Sequence, residues 1–485
     1  MKYPKVQNFI GGAFMNASGV RSLEIISPID GSLLSTVPMS DRSDLDKAVK
    51  AASKAFPGWS NTPIKTRVQI FYRYRELLEK HMTELSNLIQ EECGKTFGES
   101  KAEIEKSMEL TEFACSLPQL ITGEILEVSR GVECRTEYNP VGVVASITPF
   151  NFPSMVPNWT LPNAIVLGNC MIMKPSEKDP LSCGRIAELL KEAGLPDGVF
   201  NIINGDSEMV EAICDHPGIE AVSFVGSTKV AKIVYHRATS NYKRCLALGG
   251  AKNHLIVLPD AIPQMTASNI AASMSGCAGQ RCMAASAMLA VGDVNHIIEK
   301  VRAAAEKIVP GENLGAVINK EAKERIEKYI TEAEKQGAKI LVDGRNATVA
   351  GKEKGTYVGP TVIDFVTPDM AVAKEEIFGP VISIIRVKTV DEALSIENAS
   401  PYGNAASVFT QNGGMAKYIT EHASAGMVGV NVGVPVPREP FSFGGWNQSK
   451  FGVGDITGKS SIEFWTKLKK TTTKWNPEAG VNWMS

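Results

Sequence analysis

From about residue 40 the chain alternates between two hydrophobic periods, and this alternation restricts the fold more than any single motif does. Segment 40–56, SDRSDLDKAVKAASKAF, opens on cap-type Ser and Asp and then sets Leu45, Val49, Ala52 and Phe56 at helical spacing. A longer run of the same period, 65–94, ends on Gly94, a residue suited to stopping a helix. Short apolar segments follow with helical patterns between them: VGVVASITPF (141–150), CMIMKPS (170–176), VFNIING (199–205), AVSFVGS (221–227) and CLALGG (245–250). Such repetition predicts a mostly parallel, Rossmann-like, doubly wound α/β sheet with ligands beyond the carboxyl ends of its strands.

A second α/β series starts at NHLIVLP (253–259). It continues through a small-residue helix, the charged helix 320–337, the strand AKILVDG, VISIIRV (381–387) and the helix VDEALSIENA. Segment 124–140 alternates like a hairpin, and 465–475 is a polar, β-prone strand. These two pieces fit either an edge hairpin or a sheet shared between subunits. At 485 residues the chain exceeds one ordinary core. The expected division is one domain from 1–121 and 141–251, a second from 252–452, and a small β element from 122–140 and 462–485.

With 21% charged residues and a net charge of -2, the chain offers no electrostatic reason to bind nucleic acid or a membrane. Small ligands fit better. The start, MKYPKVQNFIGGAF, breaks its apolar pattern too early for a secretory signal, and no long uncharged apolar span occurs, so a cytoplasmic location is expected. Nine cysteines without a C-x-x-C point to reduced thiols. GKT at 94–96 resembles the end of a phosphate-binding loop, but the upstream position that needs glycine is Ile89. FGVGDITG has the wrong glycine spacing for a dinucleotide fingerprint and reads as a turn. The six histidines show no metal-ligand spacing, so no metal is expected.

The stretch GCAGQRCMA (276–284) carries two thiols. Cys282 follows a turn-like Gly279-Gln280-Arg281, where Arg281 would favour thiolate, while Cys277 lies nearer the apolar helix and reads as structural. Thioester chemistry also needs donors for an oxyanion. Asn151, between Pro149 and Pro153 in TPFNFP, is placed for that task or for capping its own turn.

Taken in order, PFNFP (149–153), MKPSEKDP (173–180), FVGST (224–228), LGG (248–250), GQRCMA (279–284), EEIFGPV (375–381) and PFSFGG (440–445) resemble the NAD(P)-dependent aldehyde dehydrogenases along nearly the whole chain. The resemblance implies Cys282 as nucleophile and Asn151, with the Cys282 backbone N–H, as oxyanion holder. Further, it places Lys174 and Glu177 at the adenosine ribose, Gly226 and Ser227 at the pyrophosphate, and Phe150, Leu248, Glu376 and Phe378 along the rest of the cofactor. An acidic Glu177 would repel a 2′-phosphate, so NAD is expected over NADP. The family commonly forms dimers or tetramers, and a homodimer or homotetramer is expected here.

Hydrolytic members of that family read L-E-L-G-G, whereas this chain has Ala247 in place of the glutamate that activates water. Lys459 also stands where many of them carry a second glutamate. Without a base for water, an external thiol becomes the natural acceptor. LGGAKNH, GQRCMA, PFNFPSMVPNW and PVPREPFSF are similar to the CoA-acylating methylmalonate-semialdehyde dehydrogenase branch, which implies coenzyme A as co-substrate and a small anionic aldehyde. Arg281 and Arg438 are candidates to hold the anion. Lys106 stands where that branch typically has arginine, which opens the alternatives of a sulfonate-, phosphate- or longer carboxylate-bearing aldehyde released as free acid. A non-catalytic scaffold is the reading from another class.

Overall fold

The predicted apolar segments become parallel strands lying in the order Phe200–Ile202, Cys170–Lys174, Val143–Ile147, Ala221–Val225 and Arg244–Leu248. The computed structural model describes residues 1–475. These strands are buried on both faces, which is why they read as continuous apolar runs rather than alternating ones. The parallel set starts in the middle of this sheet, at Val143–Ile147, and winds outward in both directions. Its order therefore reverses between Val143–Ile147 and Ala221–Val225, and a crevice opens there at the carboxyl ends.

The helices differ in detail from the sequence expectation. Arg42–Asn61 runs past residue 56 and is capped by Asp41, whose carboxylate accepts from the N–H groups of Ser43 and Asp44. The single run expected over 65–94 is two helices, Ile64–Lys80 and Met82–Cys93. His81 leaves the helical well at φ -99°, ψ 13°, and breaks the ladder. Gly94 ends the second helix in the left-handed region at φ 84°. GKT is thus a helix-to-helix joint, with Thr96 and Glu99 forming a capping box at the start of Phe97–Leu120.

The second sheet runs Lys339–Val342, Thr361–Asp364, Val381–Val387, Ala285–Val291, Asn253–Val257, Ala405–Phe409 and Met427–Val430, all parallel except the first pairing. Only Gly249 to Lys252 separate the end of Arg244–Leu248 from the start of Asn253–Val257. The second sheet consequently presents the amino ends of its strands to the crevice. Cys282 lies just before Ala285–Val291 and Glu376 just before Val381–Val387.

Ile125–Ser129 and Val132–Pro140 form the expected hairpin, and Thr466–Lys474 adds to it antiparallel. The two extended pieces therefore pair within one chain. Ile125, at 71% exposed, and Leu126, at 65%, remain uncovered on its outer strand. Positions 476–485 of the predicted β element lie outside the described residues. Among the described residues no helix is long and apolar enough to cross a membrane.

Candidate active site

Two chambers meet at Cys282. The larger, about 330 Å³, fills the crevice where the strand order reverses. Phe150 and Asn151 enter it from the end of Val143–Ile147, and Gly226 and Ser227 from the end of Ala221–Val225. Glu376 and Phe378 enter from the second sheet. The smaller chamber, about 200 Å³, is lined by Lys106, Arg281, Glu439, Val436 and Phe443. Cys282, Phe152 and Trp159 line both, so the sulfur is reachable from two sides. Cys277 is buried and lines neither.

The turn that carries Cys282 is held from several directions. Cys277, Ala278 and Gly279 are all left-handed, at φ 52°, 53° and 70°, an unfavourable run that survives only because its surroundings fix it. A Cβ on Gly279 would lie 2.0 Å from the Gly379 carbonyl oxygen, so glycine here lets the cysteine turn press against the Glu376–Phe378 loop. Asn253 Nδ2 donates to the carbonyls of Cys282 at 2.8 Å and Ala284 at 2.9 Å. Asn151 Nδ2 donates to the Gln280 carbonyl at 2.8 Å, which ties its amide to the turn that carries Cys282.

Arg281 favours thiolate as its sequence position suggested, but too weakly to decide the state of Cys282. Its Nε donates to the Gly276 carbonyl and its Nη2 to the Ala272 carbonyl, each at 3.0 Å, which closes the end of Pro263–Ser275. Enclosure and the Glu376 carboxylate push the Cys282 thiol up to about 12, and nearby backbone N–H groups and Arg281 offset only part of this. At neutral pH the Cys282 side chain is a neutral thiol. The Arg438 side chain is 78% exposed and, among the described residues, reaches Glu109 at 3.5 Å, outside either chamber. Lys106 is on the smaller chamber, with its Nζ 2.6 Å from Glu439 and 3.0 Å from Glu109.

On the cofactor-sized side, the Phe150 and Phe378 rings meet edge to face at 5.8 Å, and Lys178 Nζ lies 4.8 Å over Phe150. Ser227 begins the helix Thr228–Ser240 without a side-chain cap, leaving first-turn N–H groups for an anion. Glu376 Oε1 accepts from the Ala251 N–H at 3.0 Å, and a Cβ on Gly250 would sit 2.3 Å from Oε2. Burial raises this carboxyl to about 7, against the Ala251 N–H, Lys252 and Arg325. Lys252 Nζ is buried without a hydrogen-bond partner, and burial lowers it to about 7.

Lys174, Glu177 and Leu248 do not line the cleft. Lys174 Nζ donates to Glu177 at 3.1 Å, and the Leu248 carbonyl accepts from the Gly226 N–H at 3.1 Å. Ala247, fully buried, and Lys459, exposed, line neither chamber. Lys178 and Arg325 are lining residues that sequence reasoning missed. Lys178 stood inside a quoted motif, but Arg325 belongs to a helix whose charges all looked solvated. Also missed was the support behind Asn151. Buried Glu103 accepts from the N–H groups of Ser154 at 2.8 Å and Met155 at 2.9 Å while pairing with Lys95.

The family model for the aldehyde dehydrogenase family matches residues 14–471. Malonate-semialdehyde dehydrogenase 1 of Geobacillus thermodenitrificans is 44% identical over 97% of this chain and 99% of its own. Malonate-semialdehyde dehydrogenase of Pseudomonas aeruginosa is 41% identical over 98% and 97%. Methylmalonate-semialdehyde dehydrogenase of Oceanimonas doudoroffii superposes with a TM-score of 0.96 at 42% identity, covering 98% of this chain and 99% of that one. A Sinorhizobium meliloti protein solved with NAD superposes equally well, at 0.96 and 41% identity with the same coverage. With the Cys282 turn set between two chambers and a match over nearly its full length, the chain belongs to the aldehyde dehydrogenase family.

Proposed function

We propose that this enzyme oxidises malonate or methylmalonate semialdehyde with NAD and transfers the acyl group to coenzyme A, giving acetyl- or propionyl-CoA and carbon dioxide. The observation that carries the reading is Cys282 at the junction of a cleft at the sheet's switch point and a small chamber whose lining includes Lys106 and Arg281. Ala247 supports the acylating form, because no carboxylate stands there to activate water. The relatives named for malonate semialdehyde support the substrate.

The cleft fits NAD. Gly226 and the open first turn at Ser227 suit a pyrophosphate, and the space left by Gly250 before the Glu376 carboxylate suits a ribose diol. Phe150 and Phe378 would flank the ring. Lys174 and Glu177 would complete the adenosine end, and Leu248 would back the rest of the cofactor. Bound NAD supplies the hydride acceptor.

Cys282 Sγ, its proton lost to solvent, adds to the aldehyde carbon, and the developing oxyanion is held by the Asn151 amide and the Cys282 N–H. Loss of hydride leaves a thioester on Cys282. The β-carboxylate leaves as carbon dioxide, its bonding electrons stay on the α-carbon as the thioester enolate, and that carbon takes a proton. The coenzyme A thiolate then displaces the Cys282 thiolate. Lys106 and Arg281 hold the substrate carboxylate during these steps.

In this reading residues 1–121 and 141–251 are the NAD-binding domain and 252–452 the catalytic domain. The uncovered face of the small three-stranded sheet serves self-association into a dimer or tetramer. The test is NADH and product formation from malonate semialdehyde with and without coenzyme A. One acetyl-CoA per NADH is expected. A rate and a free-acid product indifferent to coenzyme A would contradict the acylating form.

A further inference from the structure

The smaller chamber limits the charge it can accept. Its lining carries two cations, Lys106 and Arg281, and one anion, Glu439, a net of one positive charge. Glu439 is no bystander. Its carboxylate lies 2.6 Å from Lys106 Nζ, and its side chain is only 13% exposed. Glu109 also touches Lys106 but lies off the lining, where it shares Arg438. The remaining wall is mostly apolar, with Thr457 and Cys282 its polar members, and supplies no further charge.

We propose that Glu439 is a specificity-determining residue: by occupying the Lys106 ammonium it holds the chamber at one net positive charge and selects aldehydes with a singly charged head group over those with a doubly charged one. The proposal rests on the reading of this chamber as the site of an anionic aldehyde. A carboxylate or sulfonate entering the chamber brings it to neutrality. A phosphate dianion leaves a net negative charge in a part-buried site, and it meets the Glu439 carboxylate directly, where like charges are poorly screened. Lysine at position 106 suits this arrangement. A single ammonium can be shared between Glu439 and a substrate oxygen, whereas a guanidinium fork would engage either one bidentately.

The experiment compares kcat/KM for malonate semialdehyde, glyceraldehyde 3-phosphate and neutral propanal in the wild-type enzyme and in Glu439→Gln. The expected result is a rise of about tenfold or more in the phosphate-to-carboxylate ratio, since the variant lining carries two positive charges. Glu439→Asp keeps the charge and is expected to restore the wild-type ratio. An unchanged ratio in Glu439→Gln, or an equal rise in Glu439→Asp, would overturn the proposal. Should Glu439→Gln fail to fold, Lys106→Gln gives a second reading: its neutral lining predicts that the preference for malonate semialdehyde over propanal falls, and an unchanged preference overturns the proposal. A wild-type enzyme that oxidises no anionic aldehyde would instead sink the functional reading, so the two failures are distinct.

Discussion

The Asn151 side-chain amide donates to the Gln280 carbonyl at 2.8 Å, so the loop ending the first sheet's central strand is tied to the turn that carries Cys282. One helix grips both partners. From Phe97–Leu120, Glu103 holds the N–H groups just after Asn151, and Glu99 accepts from the Cys277 N–H. Lys95, paired with Glu103, stands 3.7 Å from the Phe152 ring centroid. The spacing of amide and thiol is thus set by the first two turns of a helix that also carries Lys106 to the smaller chamber.

Glu103 is accordingly a positioning residue. Glu103→Gln strands a buried ammonium, and loss of one partner of a buried pair costs about 3 kcal/mol or more. Denaturant unfolding should show that loss, and kcat should fall roughly tenfold by misplacing Asn151, with the KM for NAD little changed. Adding Lys95→Met should restore part of the stability. A double variant as unstable as the sum of the single ones would show that the pair does not act as a unit.

If the Asn151 amide holds the oxyanion as proposed, Asn151→Ala should lower kcat by about 100-fold to 1000-fold. NAD affinity, measured by fluorescence quenching, should hold within about a factor of two or three, the ordinary scatter of context effects. Retained kcat would mean that the amide serves only the Gln280 turn.

The free enzyme's Cys282 thiol is pushed up to about 12. Its alkylation by iodoacetamide should therefore keep accelerating as pH rises through the alkaline range, because the thiolate fraction is still growing there. Peptide mapping should find Cys282 modified before Cys277. A rate that levels off near neutral pH would contradict the enclosed, unpaired thiol.

Burial raises the Glu376 carboxyl to about 7, so the carboxylate form accumulates as pH rises through neutrality. If that form accepts from the ribose diol, NAD should bind more tightly from about pH 6 to about pH 8, by up to roughly tenfold per pH unit below the midpoint. Glu376→Gln should flatten the dependence. A slope that persists in the variant assigns it to another group, with buried Lys252 the nearest.

The sheet order was legible because doubly buried parallel strands leave unbroken apolar runs, and VISIIRV maps onto Val381–Val387 residue for residue. Asn151 and Cys282 were legible for a different reason, their place in motifs flanking those strands. What stayed hidden depends on contacts between distant segments. Nothing local to Arg281 says that its guanidinium closes a helix end, and nothing near Glu439 says that Lys106, hundreds of residues earlier, meets it. The break at His81 was equally silent, since the hydrophobic period runs straight through it.

The central claim is that Cys282 carries the acyl group between oxidation and release. Mixing the enzyme with NAD and malonate semialdehyde in the absence of coenzyme A, quenching with acid, and mapping the peptides by mass spectrometry tests it most directly. The account predicts an acyl thioester on the peptide bearing Cys282, lost when coenzyme A is added before the quench. NADH formed with that peptide unmodified would contradict it.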